Sequence, residues 1–542
     1  MSKSEVIAMS WMGLCAIAIV VLCWLGIVRD YHAIPYWDSW NGLVEFVLLF
    51  QDGSFGERLE LLFSQHNEHR FVLTRFLFLA DYAFFNSSFV LLFAFNAVIP
   101  FLAVCVILKT AKTETRFVRS AIAAVSCCFL FLLLQRENFS WEFQSQFFLA
   151  YYIPLLGYYL VIRFWSDDMM RNAALVGGTA LCSAFTMANG VLYAMPLAVL
   201  FLFKSSTRLI GFAAIAVQVL VLTTYLFLLL YQSTPHHGGV VQDVLPNLPR
   251  YIAYILTYIG APFSDNPKMV RIYGVVFILL AVRFFWIAMA REKTIDIRNV
   301  LLLYIMFYVA TVAVTGIGRV NFGVEQAFAE RYMTPTLLAW LCLIVLGLLH
   351  IRSPRWYKSM YFGVLPLFAL VGLDKQIEVY KDTGSHAFER NAARLALYLG
   401  VLDEPVITAV YPHVNKPVDV FAKSTTAGLN FTLPLAAWTS LGNTAVAEGA
   451  CQGGIADIQV LPDGFSKVSG WIVNPAVTDQ AQTPVAVAMG SSVGLGQRGQ
   501  QIAETVHPDT KAGFVLYVRT EDISDGAVIH SSPDDPACVL SF

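Results

Sequence analysis

Val6-Ile-Ala-Met-Ser-Trp-Met-Gly-Leu-Cys-Ala-Ile-Ala-Ile-Val-Val-Leu-Cys-Trp-Leu-Gly-Ile-Val28 contains no charged side chain. It is close to the ~20 residues that carry a helix across a ~30 Å hydrocarbon core. The flank Met1–Glu5 is weakly basic and no small-residue cleavage site follows, so the run reads as an uncleaved anchor. The same character recurs near 88–108, 118–134, 147–165, 173–187, 191–204, 209–231, 270–290, 299–316, 334–350 and 360–373, which makes about eleven spans. The stretch 71–85 is short and carries Arg75 and Asp81; it reads as a helix at the surface or packed in the bundle.

Composition agrees. Hydrophobic residues make up 57% of the chain and charged residues 14%, against roughly 25% charge in soluble domains, and the mean hydropathy is +0.61. The net charge of −2 gives no electrostatic reason to bind nucleic acid. The expected organisation is a transmembrane domain over 1–373 with an outer loop at 29–87, a helical linker over 374–405, and a β-sandwich over 406–542. The linker helix spans His386 to Leu399. Strand-like runs begin at Val406, Asp457, Lys467, Pro484 and Gly513, and the turn Pro462-Asp463-Gly464 separates two of them. Seven of the nine cysteines lie in or against spans as small apolar residues; Cys451 and Cys538 bracket the sandwich and are expected to pair in an oxidising outer compartment.

Basic residues set the orientation. Lys109, Lys112, Arg116 and Arg119 share one loop, and Arg163 and Arg171 share another. Lys204 and Arg208 follow, then Arg291, Lys293 and Arg298, then Arg352, Arg355 and Lys358. With about eleven spans, all fall on the side of the N-terminus, the cytoplasmic side, and everything after residue 374 is periplasmic.

The outer loops then hold the candidate chemistry. The first contains Tyr36-Trp37-Asp38-Ser39-Trp40 and His66-Asn67-Glu68-His69-Arg70, with amphipathic stretches at 43–48 and 59–62 that suit helices lying in the interface. The second contains Glu137-Asn138, Trp141 and Phe143-Gln144. A third carries His236-His237, Lys268 and, at its inner edge, Arg271, with an interfacial helix over 248–263. A fourth carries Arg319, Arg331 and Tyr332. Guanidinium groups beside a headgroup layer suit a lipid phosphate, and a carboxylate nearby suits deprotonation of a hydroxyl. Trp37, Trp40 and Trp141 fit either an aromatic belt or the face of a sugar, and snorkelling to the headgroups is the plain alternative for Arg331. His66 and His69, three apart, would share a helical face with Glu68 between them, so a metal is a competing use of the cluster. The HExxH spacing is absent, and no metal or other cofactor is expected.

The acid-bearing first outer loop with its interfacial helices, about eleven spans and an outer C-terminal domain resembles the GT-C class of integral-membrane glycosyltransferases. Tyr36-Trp37-Asp38-x-Trp40, His66–Arg70, Glu137-Asn138 with Phe143-Gln144, and Arg331-Tyr332 are also similar to bacterial membrane proteins described as glycosyltransferases, akin to those that decorate O-antigen. The resemblance implies a polyprenyl-phosphate sugar donor, a glycan or lipid-linked glycan acceptor, and inverting transfer at the periplasmic face of the inner membrane. It implies Asp38 as the base, with Glu68 the rival because no second acid stands beside Asp38 at the spacing of the class. Arg331, with Arg319, Arg271 or Lys268, would receive the leaving phosphate. His66, His69 and Arg70 would hold sugar hydroxyls. Two other functions compete: a transporter or flippase of lipid-linked sugar, for which no internal repeat is visible, and a non-catalytic scaffold that presents the β domain. Neither sugar identity nor oligomeric state is legible.

Overall fold

The computed structural model describes residues 2–166, 168–203, 208–229, 231–232, 240–290, 295–351, 353–432, 452–473, 485–488, 491–500, 512–524, 527–532 and 535–542. Lys204, His236, His237, Arg291, Lys293, Arg352 and Cys451 lie outside them. Residue contacts divide the chain into two compact units. The first is 1–26, 55–77 and 93–381; the second is 27–54, 78–92 and 382–542.

The first unit is helical. Seven described helices are long and apolar enough to cross a membrane: Lys3–Asp30, Val90–Thr110, Arg116–Phe139, Glu142–Arg163, Pro267–Ala290, Asn299–Phe322 and Glu330–His350. Ala188–Phe203 and Gly211–Phe227 are apolar but shorter. Met169–Ala184 and Leu365–Lys381 occupy the other two expected positions. The chain is therefore membrane-embedded. Burial sorts the helices: Glu330–His350 is 89% buried and Pro267–Ala290 only 22%. A helix apolar all round and enclosed is a bundle centre, and one apolar but exposed faces lipid.

The close approaches have local causes. A Cβ on Gly260 would lie 1.8 Å from the Val270 carbonyl oxygen, so only glycine lets the end of helix Leu248–Gly260 meet the start of Pro267–Ala290. Between helices Arg116–Leu130 and Ser145–Arg163 the chain breaks into three short turns, Leu133–Gln135, Arg136–Phe139 and Glu142–Gln144. A break inside an apolar bundle needs polar partners, and Gln376 supplies them. Its Oε1 accepts from Leu133 N at 2.8 Å, and its Nε2 donates to the carbonyls of Phe131 and Ile19 at 3.2 and 3.1 Å.

In the second unit, Asp30 accepts from Gly384 N at 2.7 Å and Asn86 donates to Gly428 O at 2.9 Å. Asp81 accepts from Phe89 N and Leu91 N. The interfacial helix expected at 43–48 forms over 40–52 with a π-helical first turn. The strand expected from Val406 does not form; Pro405 takes the first turn of a short helix, Glu404–Thr408, where its missing N–H costs nothing.

The described strands form one antiparallel sheet in place of the expected pair. β1 is Gln452–Val460, β2 Phe465–Val473, β3 Val485–Ala488, β4 Ser491–Gln500, β5 Gly513–Arg519, β6 Val528–Ser532 and β7 Asp535–Ser541, in the order β1-β2-β5-β4-β3-β6-β7. The expected turn before β2 is present, with Gly464 at φ +83°. Strand β2 alternates strictly, sending Ser466, Val468, Gly470 and Ile472 inward. Val468, Ile472, Phe514, Leu516, Val518, Ile529 and Cys538 form one core on that face. The sheet curls until Leu540 of β7 lies against Gly453 of β1, so a single sheet encloses a core that a sandwich would need two to cover. Cys538 is disulfide-bonded, and seven other cysteines are free thiols.

Candidate functional site

The His66–Arg70 segment is a tight turn and not a helix. His66 and His69 exchange both backbone hydrogen bonds at 2.9 Å, with Asn67 at φ +49°. Asparagine tolerates the left-handed region better than most residues. The expectation that the two histidines share a helical face fails for this reason: they are the two ends of the turn, and Glu68 is at its tip. Among the described residues no group of three His, Cys, Asp or Glu is arranged to hold a metal ion.

Each side chain of the turn goes its own way. Glu68 Oε1 accepts from the Arg319 guanidinium at 2.9 Å, the carboxylate being 12% exposed. The Tyr225 hydroxyl donates to the Glu68 carbonyl at 3.1 Å. His69 Nδ1 accepts from Ala188 N at 3.3 Å, which puts its ring proton on Nε2. Arg70 ties the backbone together by donating to the carbonyls of Phe63 and Leu229. The His66 ring packs edge-on to Phe71 and Phe143 at 5.5 and 5.7 Å. Burial, reinforced by Arg75 and His69, lowers its pKa to about 4, so the ring is neutral at pH 7.

A second ion pair joins Glu137 and Arg331 at 3.4 Å. Arg331 N also donates to Glu137 Oε2 at 3.2 Å, and Glu137 N to Glu330 Oε2 at 3.0 Å. Asn138 donates to Arg331 O at 2.9 Å and to Thr334 Oγ1 at 2.7 Å. The side chain stacked on Tyr332, at 4.6 Å between ring centres, is Tyr258. Tyr254 stands one turn earlier on the same helix. Burial drives its hydroxyl pKa well up, and the charges of both Arg319 and Arg331 oppose that shift, so the ring lies within electrostatic reach of each. Sequence reading missed Tyr254 and Tyr258. Their signal was the spacing Tyr251, Tyr254, Tyr258 down one face of helix Leu248–Gly260.

Several buried polar atoms have no hydrogen-bond partner among the described residues, including His66 Nε2, Asn138 Oδ1, Gln144 Oε1, and both amide atoms of Asn189 beside Ala188. Buried polar groups are nearly always satisfied, so each of these atoms is open to a polar ligand or an ordered water. Trp141 is buried against Phe143, stacked at 6.0 Å, and is a packing residue. Lys268 and Arg271 are exposed on the first turns of their helix, and among the described residues neither forms an ion pair.

Asp38, Trp37 and Trp40 belong to the second unit. Trp40 is fully buried, edge-on to Phe431 at 6.2 Å. Trp37 is half exposed and has φ +46°, an outlier for a bulky residue. Its N–H donates to Val410 O at 2.8 Å, and the Asp38 carbonyl accepts from Gly42 N at 2.7 Å. Arg390 stacks on Tyr36 at 3.9 Å and bonds His32, so the strand of chain entering Asp38 is firmly held.

No protein-family model and no curated protein sequence matches this chain. Its function must be argued from the site alone.

Proposed function

We propose that the protein is an inverting GT-C-type glycosyltransferase that moves a sugar from a polyprenyl-phosphate donor to a glycan or lipid-linked glycan at the periplasmic face of a bacterial inner membrane. The observation that carries the reading is the Glu68–Arg319 pair. It sets a part-buried carboxylate against a guanidinium, and a second guanidinium, Arg331, acts electrostatically on the same Tyr254 as Arg319 does. A phosphate arriving between the arginines competes with Glu68 for the Arg319 donors. The carboxylate released by that exchange accepts the proton of the acceptor hydroxyl. The hydroxyl oxygen attacks the anomeric carbon while the lipid phosphate leaves from the opposite face, so the configuration inverts. The unsatisfied Gln144, Asn138 and Asn189 atoms suit sugar hydroxyls. No metal enters this scheme.

Contacts within the first unit support about eleven crossings in place of the seven that length and apolarity give. Counting only seven would put Glu68 and Arg319 on opposite sides of the membrane, yet they touch at 2.9 Å. Three further crossings between 163 and 267 remove the conflict and bring the count to ten, and Leu365–Lys381 would be the eleventh. His69 meets Ala188 after the first of them, and Gln65 bonds Gln232 after the third. The Glu137–Arg331 pair imposes the same parity.

A second assignment of the base, Asp38, is favoured by the strained Trp37 backbone beside it, since such strain clusters at functional sites. In-vitro transfer from defined polyprenyl-phosphate sugars separates the two. Glu68→Gln is expected to lose ~10²–10⁴ in rate and Asp38→Asn much less. Unchanged transfer by Glu68→Gln would exclude Glu68; a loss confined to Asp38→Asn would transfer the role.

A further inference from the structure

The second unit contains a cavity of about 470 Å³ that the transfer chemistry does not use. That size lies within the roughly 300–1,000 Å³ of small-ligand sites. Its floor is the face of the sheet turned away from the core. In register, Asp457 of β1 lies opposite Ser469 of β2, and Gln459 lies opposite Lys467. Val515 of β5 continues the first row. The helices Ser385–Leu399 and Glu404–Thr408 contribute Phe388 and Glu389, and Pro405 and Val406.

The lining selects by charge. Among the described residues Lys467 is the one cation in it, and its ammonium already pairs at 2.7 Å with Asp403, a buried carboxylate that also accepts from the Tyr517 hydroxyl at 2.7 Å. Asp457 and Glu389 leave the described lining net negative, which disfavours phosphates and acidic sugars. Carboxylates only accept, whereas Gln459, Gln500 and Ser469 both donate and accept. Such a wall satisfies a ligand made of hydroxyls, and Phe388 with Val406 offers an apolar surface to a face of C–H groups.

We propose that this cavity is a binding site for a neutral oligosaccharide. It stands on the residues of the second unit and does not depend on which carboxylate serves as base, nor on transfer itself.

The full-length protein, in lipid nanodiscs without sugar headgroups, can be applied to an array of neutral and anionic oligosaccharides. Retention of neutral members above empty nanodiscs is expected. Gln459→Ala removes one neutral hydrogen-bonding group and should weaken retention up to about tenfold. Ala409→Trp fills the mouth of the cavity and should abolish it, with circular dichroism unchanged in both variants. Glu68→Gln should bind as the unaltered chain does, which separates this site from the transfer site. The assignment is overturned if no neutral glycan is retained, if anionic glycans are preferred, if spermidine displaces bound glycan, or if folded Ala409→Trp binds normally.

Discussion

His66 shows how a residue type can mislead and a position correct it. A histidine beside a carboxylate near a membrane invites a ligand or sugar-binding role, and the sequence could not separate these. The structure wedges the ring between Phe71 and Phe143. Its folded pKa of about 4 is depressed from the ordinary ~6.5. Between those values the unfolded chain binds more protons than the folded one. Stability therefore rises from pH 4 to pH 6.5 and is lost as pH falls through that window. His66→Phe should flatten the acid limb of thermal stability in detergent while leaving transfer intact. A collapse of transfer with stability unchanged would show that Nε2 serves the substrate. The charged members of the site were legible, since Glu68, Arg319, Glu137 and Arg331 all stand out in apolar surroundings. Their pairing was not, because partners 251 and 194 residues apart leave no trace in local spacing.

At the scale of elements, the apolar helices and the linker helix were readable because periodicity and length announce them. The errors fell where one residue reverses a local trend. Pro405 turns a β-branched run into a helix start, and Asn67 turns a helical spacing into a reverse turn. The break after Leu130 is a case that no local pattern reveals, since its partner, Gln376, is 243 residues from Leu133. A glutamine in the last apolar helix looks like a tolerated polar residue. It instead meets the Leu133 N–H and the Phe131 carbonyl at the break, and adds a contact to the Ile19 carbonyl of helix Lys3–Asp30. Gln376→Leu keeps the volume and orphans the Leu133 N–H and the Phe131 carbonyl. Each buried unsatisfied group costs ~1–3 kcal/mol, so thermal unfolding in detergent should drop sharply. Gln376→Glu, which keeps the acceptor for Leu133 N but loses both donors, should fall between. Equal stability of all three would mean that the break is held by other contacts.

For the whole molecule, the decisive property is which helix ends share a side of the membrane. Helix length combined with hydropathy marks seven described spans and leaves the shorter helices between 169 and 227 undecided. Both seven and eleven are odd, so the position of the C-terminus cannot choose between them. The loop around 295–298 can. With eleven spans it lies on the side of the basic loops and residue 322 lies opposite, beside the Asn67 turn; with seven the two are exchanged. The prediction is tested by replacing the exposed Cys105 and Cys182 with serine and introducing Asn67→Cys, Ile295→Cys or Phe322→Cys singly. A membrane-impermeant maleimide applied to intact cells with a permeable outer membrane should label the Asn67→Cys and Phe322→Cys variants, and reach the Ile295→Cys variant only after the inner membrane is opened. Labelling of the Ile295→Cys variant from outside, with the Phe322→Cys variant protected, would put Arg319 on the other side from Glu68. It would then dissolve the site, since a donor phosphate cannot exchange with a carboxylate across a bilayer.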